Sequence, residues 1–195
     1  MSKQQVKSKG GRGARQRILD AAADLFYREG INATGVERLA AESSVSKRTL
    51  YQHFPSKTAV VEEYLRSIED RVAESLLPEA DAADKSPRER LLAVFDGPTA
   101  RGGPLRGCPF HNAAVEAAGG MPGVHQIVRA NKRAFIDGLT ELAKQAGAAD
   151  PQLLGNELGV LYEGAAALTT SLDDGSPWAP ARAAAETLID QALAQ

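Results

Sequence analysis

The chain has 195 residues and a mass of 20.6 kDa, enough for one medium domain or two small ones with a buried core. Its content of 43% hydrophobic and 25% charged residues is typical of a globular protein and excludes collagen-like and wholly disordered classes. No apolar run approaches the roughly 20 residues of a membrane-spanning helix, and the polar N-terminus lacks a signal-peptide core. We therefore expect a cytoplasmic protein with no membrane partner.

Charge is distributed unevenly along the chain. Residues 1–57 hold 11 Lys and Arg against 5 Asp and Glu, a balance of +6. Residues 58–195 hold 12 against 20, a balance of −8. A basic head on an acidic body favours a polyanion-binding module joined to a second domain. A solvated basic tail is the alternative interpretation.

The N-terminal region begins with an arm and a helix. Residues 1–13 contain lysine, glycine and serine without periodic apolar positions, which predicts a flexible basic arm. From residue 14, apolar residues recur at helical spacing and predict a first helix to about residue 28. Gly30 supplies the left-handed stop that often follows a helix.

Two further short helices are predicted beyond this stop. Thr34 and Glu37 have the spacing of a capping box and predict a helix that ends near Ser43. Ser46 is placed to cap a third helix, which Pro55 ends after about two turns. Three such helices, the last two joined by about three residues, are typical of a helix-turn-helix unit.

The third predicted helix has one apolar face and one face suited to DNA. Leu50 and Phe54 are four residues apart and are expected to pack inward with Val45. Lysine, arginine, glutamine, threonine and tyrosine side chains can reach phosphates or base edges in the major groove. The candidate DNA-contacting residues here are Ser46, Lys47, Arg48, Thr49, Tyr51, Gln52 and His53. A polar, solvated helix face is the alternative.

The run GINATGVERLAAESSVSKRTLYQHFPSKTAVVEEYL resembles the DNA-binding segment of TetR/AcrR-family transcriptional regulators, especially in LYQHF followed by Ser56 and Lys57. The resemblance covers residues 14 to about 65. It implies that Lys47, Arg48, Thr49, Tyr51 and His53 lie at the major groove, with Thr34 and Lys57 at backbone phosphates. This chain departs from the family pattern at two positions. Ser44 stands where the family often has glycine, and Gly35 stands where the family often has a second threonine directly after the one at Thr34.

The remainder of the chain also has helical patterns. After Lys57 an apolar stripe predicts a long helix that ends before Pro78. Ser86 and Glu89 form another capping box, and residues 97–109 are rich in glycine and proline, which indicates a loop.

Four more helices are expected after this loop. Pro109 and Pro122 suit helix starts, and Gly147 suits the end of the second helix. Asp150 and Ser176 each precede a proline and predict the caps of the last two helices.

The last two predicted helices have more apolar surface than one core requires. Gly155 and Gly159 are four residues apart, which would allow another helix to approach closely. We expect a four-helix dimer interface formed by two chains, with an ordinary monomer core as the alternative. The candidate interface residues are Leu154, Leu158, Leu161, Ala165, Leu168, Ala181, Ala185 and Leu188.

The residues available to line a cavity between the C-terminal helices are large or have polar tips. They are Phe95, Phe110, His111, Val115, Phe135, Tyr162 and Trp178. With only 5% aromatic residues, such a pocket would be lined chiefly by aliphatic side chains and would suit a small apolar or amphipathic effector.

Cys108 is the only cysteine in the sequence, so an intrachain disulfide and a multi-cysteine zinc site are excluded. Together with His111 it supplies two potential metal ligands, fewer than a closed zinc site needs. Because it precedes Pro109 at a predicted helix start, where the helix dipole favours thiolate, Cys108 could be a sensor thiol. A small, partly buried residue is the alternative.

These patterns predict an all-α protein of about nine helices with no cofactor, no metal and no enzymatic activity. The expected organisation is a basic arm (1–13), a helix-turn-helix DNA-binding domain (14–57) and a helical effector-binding and dimerisation domain (58–195). We expect a homodimeric transcriptional repressor whose binding to palindromic operator DNA is relieved by a small molecule. The alternatives are a regulator that senses oxidants or electrophiles through Cys108, or an enzyme or carrier with an incidental basic arm.

Overall fold

The computed structural model describes residues 12–76, 85–97, 105–117 and 119–194. These ranges contain nine α-helices and no strand, which confirms the all-α prediction. The helices are α1 (Arg12–Arg28), α2 (Val36–Glu42), α3 (Lys47–His53), α4 (Lys57–Leu76), α5 (Pro87–Ala93), α6 (Pro109–Glu116), α7 (Pro122–Ala146), α8 (Pro151–Leu172) and α9 (Trp178–Leu193). Most of the predicted N-terminal arm and part of the predicted 97–109 loop lie outside the described residues.

The chain forms two compact units, Met1–Arg66 and Ser67–Gln195. The division falls inside α4, nine residues after the predicted boundary at residue 57. No helix in the described ranges is long and apolar enough to span a membrane.

The first unit is built on a small helical core. Helices α1, α2 and α3 pack on one another, and the rings of Phe26 and Tyr64 meet edge to face with centroids 5.5 Å apart. The burial of these apolar faces stabilises helices that are too short to persist alone in water. The large side chains buried completely in this unit include Ile18, Leu25, Leu39, Leu50, Val60 and Leu65.

The start of α2 differs from the predicted capping box. Gly35 is the N-cap residue, and no side chain caps the helix there. The hydroxyl of Thr34 instead donates to the carbonyl oxygen of Gly30 at 2.7 Å, and the side chain is fully buried. The predicted capping box was wrong because the buried hydroxyl of Thr34 hydrogen-bonds to a nearby backbone carbonyl, that of Gly30, and so does not cap α2.

The second unit contains α5 to α9, and local sequence signals set most of its helix ends. Ser86 and Glu89 form the predicted capping box of α5, Asp150 caps α8, and Gly147 ends α7 with a left-handed φ of 88°. Ser176 does not cap the last helix as predicted. Its amide instead donates to the carboxylate of Asp174 at 2.7 Å, and α9 begins one residue later with Pro177 as its N-cap.

Helices α7 and α8 form the most extensive helix pair of the second unit. At their closest approach, a Cβ added to Gly155 would lie 2.9 Å from the backbone nitrogen of Thr140. One added to Gly159 would lie 3.1 Å from a side-chain carbon of Ile136. The close approach predicted from these two glycines is therefore present, and its partner is α7 of the same chain.

Candidate nucleic-acid interface and thiol site

The third helix is fixed by its cap and by two buried anchors. The hydroxyl oxygen of Ser46 accepts a hydrogen bond from the backbone N–H of Thr49 at 3.0 Å, which caps α3. Leu50 is fully buried and Phe54 nearly so, whereas Val45 is half-buried. The predicted apolar face of α3 is therefore the one that packs into the core of the first unit.

The opposite face of α3 is polar and open to solvent. Lys47, Arg48, Tyr51 and Gln52 are exposed, and Thr49 and His53 are half-buried. The residues that the sequence singled out thus lie together on a short, rigid surface element. Such a face is suited to entering a major groove.

Lys47 is paired rather than free on this surface. Its ammonium donates to the carboxylate of Glu37, the second residue of α2. This hydrogen bond lowers the pKa of Glu37 and raises the pKa of Lys47. Because both groups are exposed, water and salt screen the pair and a phosphate could compete for the ammonium.

The two residues expected at backbone phosphates have different settings. The side chain of Thr34 is buried, so its hydroxyl does not face a phosphate, contrary to the expectation from the resemblance. Lys57 is half-buried at the start of α4, where Ser56 accepts from the backbone N–H of Ala59 at 3.1 Å. The amides of a helix N-terminus favour a nearby anion.

Arg15 is a residue of this site that the sequence analysis missed. Its guanidinium lies 5.3 Å from the ring centre of Phe54 and forms an ion pair with Glu63 of α4. The hydrogen bond from Arg15 is the main cause that lowers the pKa of Glu63. Arg15 thereby links α1 to the residue that ends α3 and to α4, which positions the exposed face.

Four of the seven predicted effector-pocket residues form an aromatic cluster in the second unit. The ring centre of Tyr162 lies 4.8 Å from that of Phe135, 5.2 Å from that of Trp178 and 6.3 Å from that of Phe95. The indole N–H of Trp178 is buried and has no acceptor among the described residues. The other three candidates, Phe110, His111 and Val115, are not part of this ring cluster. Phe110 is buried in α6, whereas His111 and Val115 are exposed.

Cys108 is the N-cap residue of α6, as its position before Pro109 predicted, and it is half-buried. The Nζ of Lys132 on α7 lies 3.2 Å from its sulfur and 2.5 Å from a carboxylate oxygen of Glu163 on α8. The other carboxylate oxygen of Glu163 lies 3.8 Å from Nδ1 of His111. Lys132 and Glu163 were missed by the sequence analysis because no local motif joins them to the cysteine.

Burial lowers the pKa of Lys132, but the charges and hydrogen bonds of Cys108 and Glu163 outweigh it and leave this pKa above its ordinary value. Lys132 is therefore an ammonium at neutral pH. In the parts of the chain that the structure describes, no three His, Cys, Asp or Glu side chains come together as a metal site requires.

The predicted dimer interface requires correction. Of the eight candidate residues, only Leu168 is exposed, and two are half-buried, Leu161 and Leu188. The other five are buried in the core of their own chain: Leu154, Leu158, Ala165, Ala181 and Ala185. The exposed large apolar residues of α8 are Leu153, Val160, Leu168 and Leu172, with exposures of 54%, 75%, 52% and 56%.

Comparison with known proteins identifies the family. The family model for bacterial regulatory proteins of the tetR family matches residues 18–64. The chain is 41% identical over 61 residues to the HTH-type transcriptional repressor KstR2 of Rhodococcus jostii, a match that spans 31% of this chain and 30% of that protein.

Two solved structures match nearly the whole chain. SCO4454, a TetR-family transcriptional regulator from Streptomyces coelicolor, is 31% identical with a TM-score of 0.82, over 93% of this chain and 96% of that chain. A tetR-type transcriptional regulator from Streptomyces avermitilis is also 31% identical, with a TM-score of 0.76, over 92% of this chain and 97% of that chain. The chain therefore belongs to the TetR family of transcriptional regulators.

Proposed function

We propose that this protein is a homodimeric repressor that places α3 of each subunit in successive major grooves of a pseudo-palindromic operator. A small molecule bound by residues 67–195 would lower its operator affinity. The observation that supports this proposal most directly is the solvent-facing polar surface of α3, with Arg48, Tyr51 and Gln52 exposed. The buried Leu50 and Phe54 hold that surface in place.

These exposed residue types suit direct readout of base pairs. An arginine can donate two hydrogen bonds to guanine, and a glutamine can pair with adenine. Each arginine or lysine near a phosphate also releases counterions, so affinity should fall steeply as salt concentration rises. Lys47 can join these contacts by exchanging its exposed partner Glu37 for a phosphate.

A second copy of this chain is the partner we propose for the outer face of α8. Four large apolar side chains on one helix remain open to solvent there, at spacings that keep them on one side: Leu153, Val160, Leu168 and Leu172. Exposed apolar side chains on one side of a helix are stabilised by burial against a partner. Two-fold pairing would also supply the two recognition helices that a palindrome requires.

The aromatic cluster around Tyr162 is the region we propose for the effector. It combines apolar rings with the buried indole N–H of Trp178, which lacks an acceptor among the described residues. A ligand that inserts a hydrogen-bond acceptor there would remove the cost of that unsatisfied donor. To relieve repression, the effector must bind more tightly to the conformer whose recognition helices do not fit the operator.

The first test is selection of bound sequences from random duplex DNA, followed by titration of the selected duplex at two salt concentrations. A pseudo-palindrome bound tightly with a steep salt slope would support the proposal. Binding that is weak and independent of sequence would contradict it, and would favour an enzyme or carrier with a basic arm.

The recognition surface is tested by Arg48→Ala. We expect loss of a base contact to weaken binding to the selected operator about tenfold or more, because one good bidentate pair contributes roughly 1 to 3 kcal/mol. The matched control is Arg133→Ala, which removes an exposed arginine from α7 in the other unit. Equal affinities for the two variants would refute the assignment of α3 as the recognition helix.

A further inference from the structure

Three titratable side chains lie near Cys108, the only cysteine in the sequence. They are Lys132 of α7, Glu163 of α8 and His111 of α6, the helix that Cys108 caps. Lys132 donates to the sulfur of Cys108 at 3.2 Å and to Glu163 at 2.5 Å. His111 approaches Glu163 from the other side. An ammonium has three N–H donors, so these two hydrogen bonds leave Lys132 a third for another acceptor near the sulfur.

The backbone that carries Cys108 is held against α8. The amide of Leu105 donates to the carboxylate of Asp173 at 3.1 Å, and Asn112 donates to the carbonyl of Arg106 at 2.7 Å. Gly107 has a φ of 62° and lies so close to α8 that a Cβ there would overlap the carbonyl oxygen of Ala166. These contacts fix the position of the sulfur relative to the ammonium on α7.

The surroundings of the sulfur are apolar on one side and cationic on the other. Cys108 packs on the core cluster of the second unit together with Phe135 and Tyr162. Among the residues that the structure describes, Lys132 is the only cation in contact with the sulfur. A molecule that fits both sides has an apolar body and one polar oxygen close to its reacting carbon.

We propose that Cys108 and Lys132 form a covalent capture site for α,β-unsaturated carbonyl compounds, with Cys108 as the nucleophile and Lys132 as the donor to the carbonyl oxygen. This inference rests on the proposed function in one respect, because it names the effector class whose capture lowers operator affinity. The chemical step itself does not depend on DNA binding.

The step is a conjugate addition that consumes no oxidant or reductant. The thiol of Cys108 releases its proton to water, and the sulfur electron pair forms a bond to the β-carbon. The π pair of the carbon–carbon double bond moves to the carbonyl group, whose enolate oxygen accepts a hydrogen bond from Lys132. A proton from water then adds to the α-carbon and replaces the one that the thiol released.

The chain has one cysteine, so an oxidised Cys108 has no second thiol within the chain with which to form a disulfide. A carbon adduct needs no such partner. The adduct would occupy space between α6, α7 and α8 that the sulfur and the ammonium now share. It would have to displace Lys132 or the 105–108 segment, and either shift would disturb the packing of the second unit.

The test uses the full chain and two probes. Methyl vinyl ketone has a conjugated carbonyl, whereas methyl methanethiosulfonate reacts with the thiolate and has none. The rate of Cys108 modification by each probe is measured by intact-protein mass spectrometry at neutral pH. The ratio of the two rates isolates the contact with the carbonyl oxygen from the supply of thiolate.

We expect Lys132→Met to lower this ratio about tenfold or more, as loss of a charged hydrogen bond to the developing enolate would. Lys132→Arg should retain most of the ratio, and Arg133→Met, the next residue of α7 and an exposed cation, should leave it unchanged. Circular dichroism of each variant checks that the fold persists. An unchanged ratio in Lys132→Met, or no adduct on Cys108 at stoichiometric ketone, would overturn the capture site.

The effector assignment has its own measurement. Wild-type protein carrying the ketone adduct should bind the selected operator more weakly, and Cys108→Ser treated in the same way should not. An adduct that leaves operator affinity unchanged would overturn the effector class. Failure of the unmodified protein to bind any operator would instead count against the proposed function, while the rate ratio would still decide the chemistry.

Discussion

Tyr162 lies where the aromatic cluster meets the charged groups around Cys108. Burial is the main cause that raises its pKa to about 12, and the charges of Cys108 and Glu163 add to the effect. The unfolded chain releases this proton near the ordinary value of 10.0, so unfolding becomes more favourable as pH rises between the two values. Below pH 10 the contribution of the protonated Tyr162 side chain to the stability of the fold is fully present.

We therefore predict that Tyr162→Phe removes a loss of stability that wild-type protein shows between about pH 10 and pH 12. The loss should be about 2 to 3 kcal/mol, from roughly 1.4 kcal/mol per unit of pKa difference. Urea unfolding at several pH values measures it. Tyr51→Phe, which removes the hydroxyl of an exposed ring, should retain the wild-type decline. An equal decline in both variants would contradict the assignment.

At the residue scale, sequence patterns identified local contacts and missed distant ones. Ser46 and its cap were predicted because the acceptor and donor are three residues apart. Arg15 and Glu63 are 48 residues apart, and Lys132 and Cys108 are 24 apart, so no spacing rule connects them. Such pairs follow from helix packing, which a single sequence does not specify.

The turn between α2 and α3 has a strained residue at the position where the family often has glycine. Ser44 has a φ of 51°, in the left-handed region that side chains with a Cβ adopt at a cost of about 1 to 2 kcal/mol. The hydrogen bond from the amide of Val45 to the carbonyl of Ala40 holds the chain in this turn.

We predict that Ser44→Gly stabilises the protein by about 0.5 to 1 kcal/mol, since the relief of strain exceeds the entropy that glycine adds to the unfolded chain. Ser44→Ala removes the same hydroxyl but keeps the Cβ, so it should give no such gain. Thermal unfolding of the two variants compares them. A gain in Ser44→Ala equal to that in Ser44→Gly would show that the hydroxyl, not the backbone, is responsible.

The contact between α7 and α8 reverses the usual effect of replacing a helical glycine. Gly138 of α7 has open space around its Cα, so Gly138→Ala should stabilise the protein by about 0.5 to 1 kcal/mol through helix propensity. A methyl group at Gly155 of α8 would meet the side chain and backbone of Thr140. Gly155→Ala should therefore destabilise by about 1 to 3 kcal/mol, as overpacking does.

Urea unfolding of the two glycine variants is the measurement, and each variant controls for the helix propensity of the other. Stabilisation of similar size in both would show that α7 and α8 do not approach closely at Thr140. The sequence predicted a close approach at Gly155 and Gly159, but it did not identify the partner helix. Only the packing shows that the partner is α7 of the same chain.

At the scale of the whole molecule, α8 has two apolar faces, one buried in the core and one exposed to solvent. Leu154 and Leu158 face the core, and a repeat of apolar residues every three or four positions is equally compatible with a core and with a subunit interface. The predicted interface residues were therefore largely those of the core. The outer face carries Leu153, Val160 and Leu168, which burial within one chain leaves in solvent.

Because the proposed dimer depends on this outer face, a charge there should separate the subunits. Val160 is the most exposed of these residues at 75%, so Val160→Glu should leave the single chain folded. In a dimer the carboxylate would be buried without a partner, which is costly, and we expect monomers in sedimentation velocity. Leu158→Glu is not a suitable test, since Leu158 is fully buried and the variant would disrupt the core.

The matched control is Val115→Glu, which places the same charge on α6 at a valine that is 63% exposed. It should sediment as the wild-type protein does. A monomer has one recognition helix, so Val160→Glu should also bind the palindrome about a hundredfold or more weakly, because the second half-site is no longer bound intramolecularly. If Val160→Glu sedimented as a dimer with unchanged operator affinity, the outer face of α8 would not be the interface.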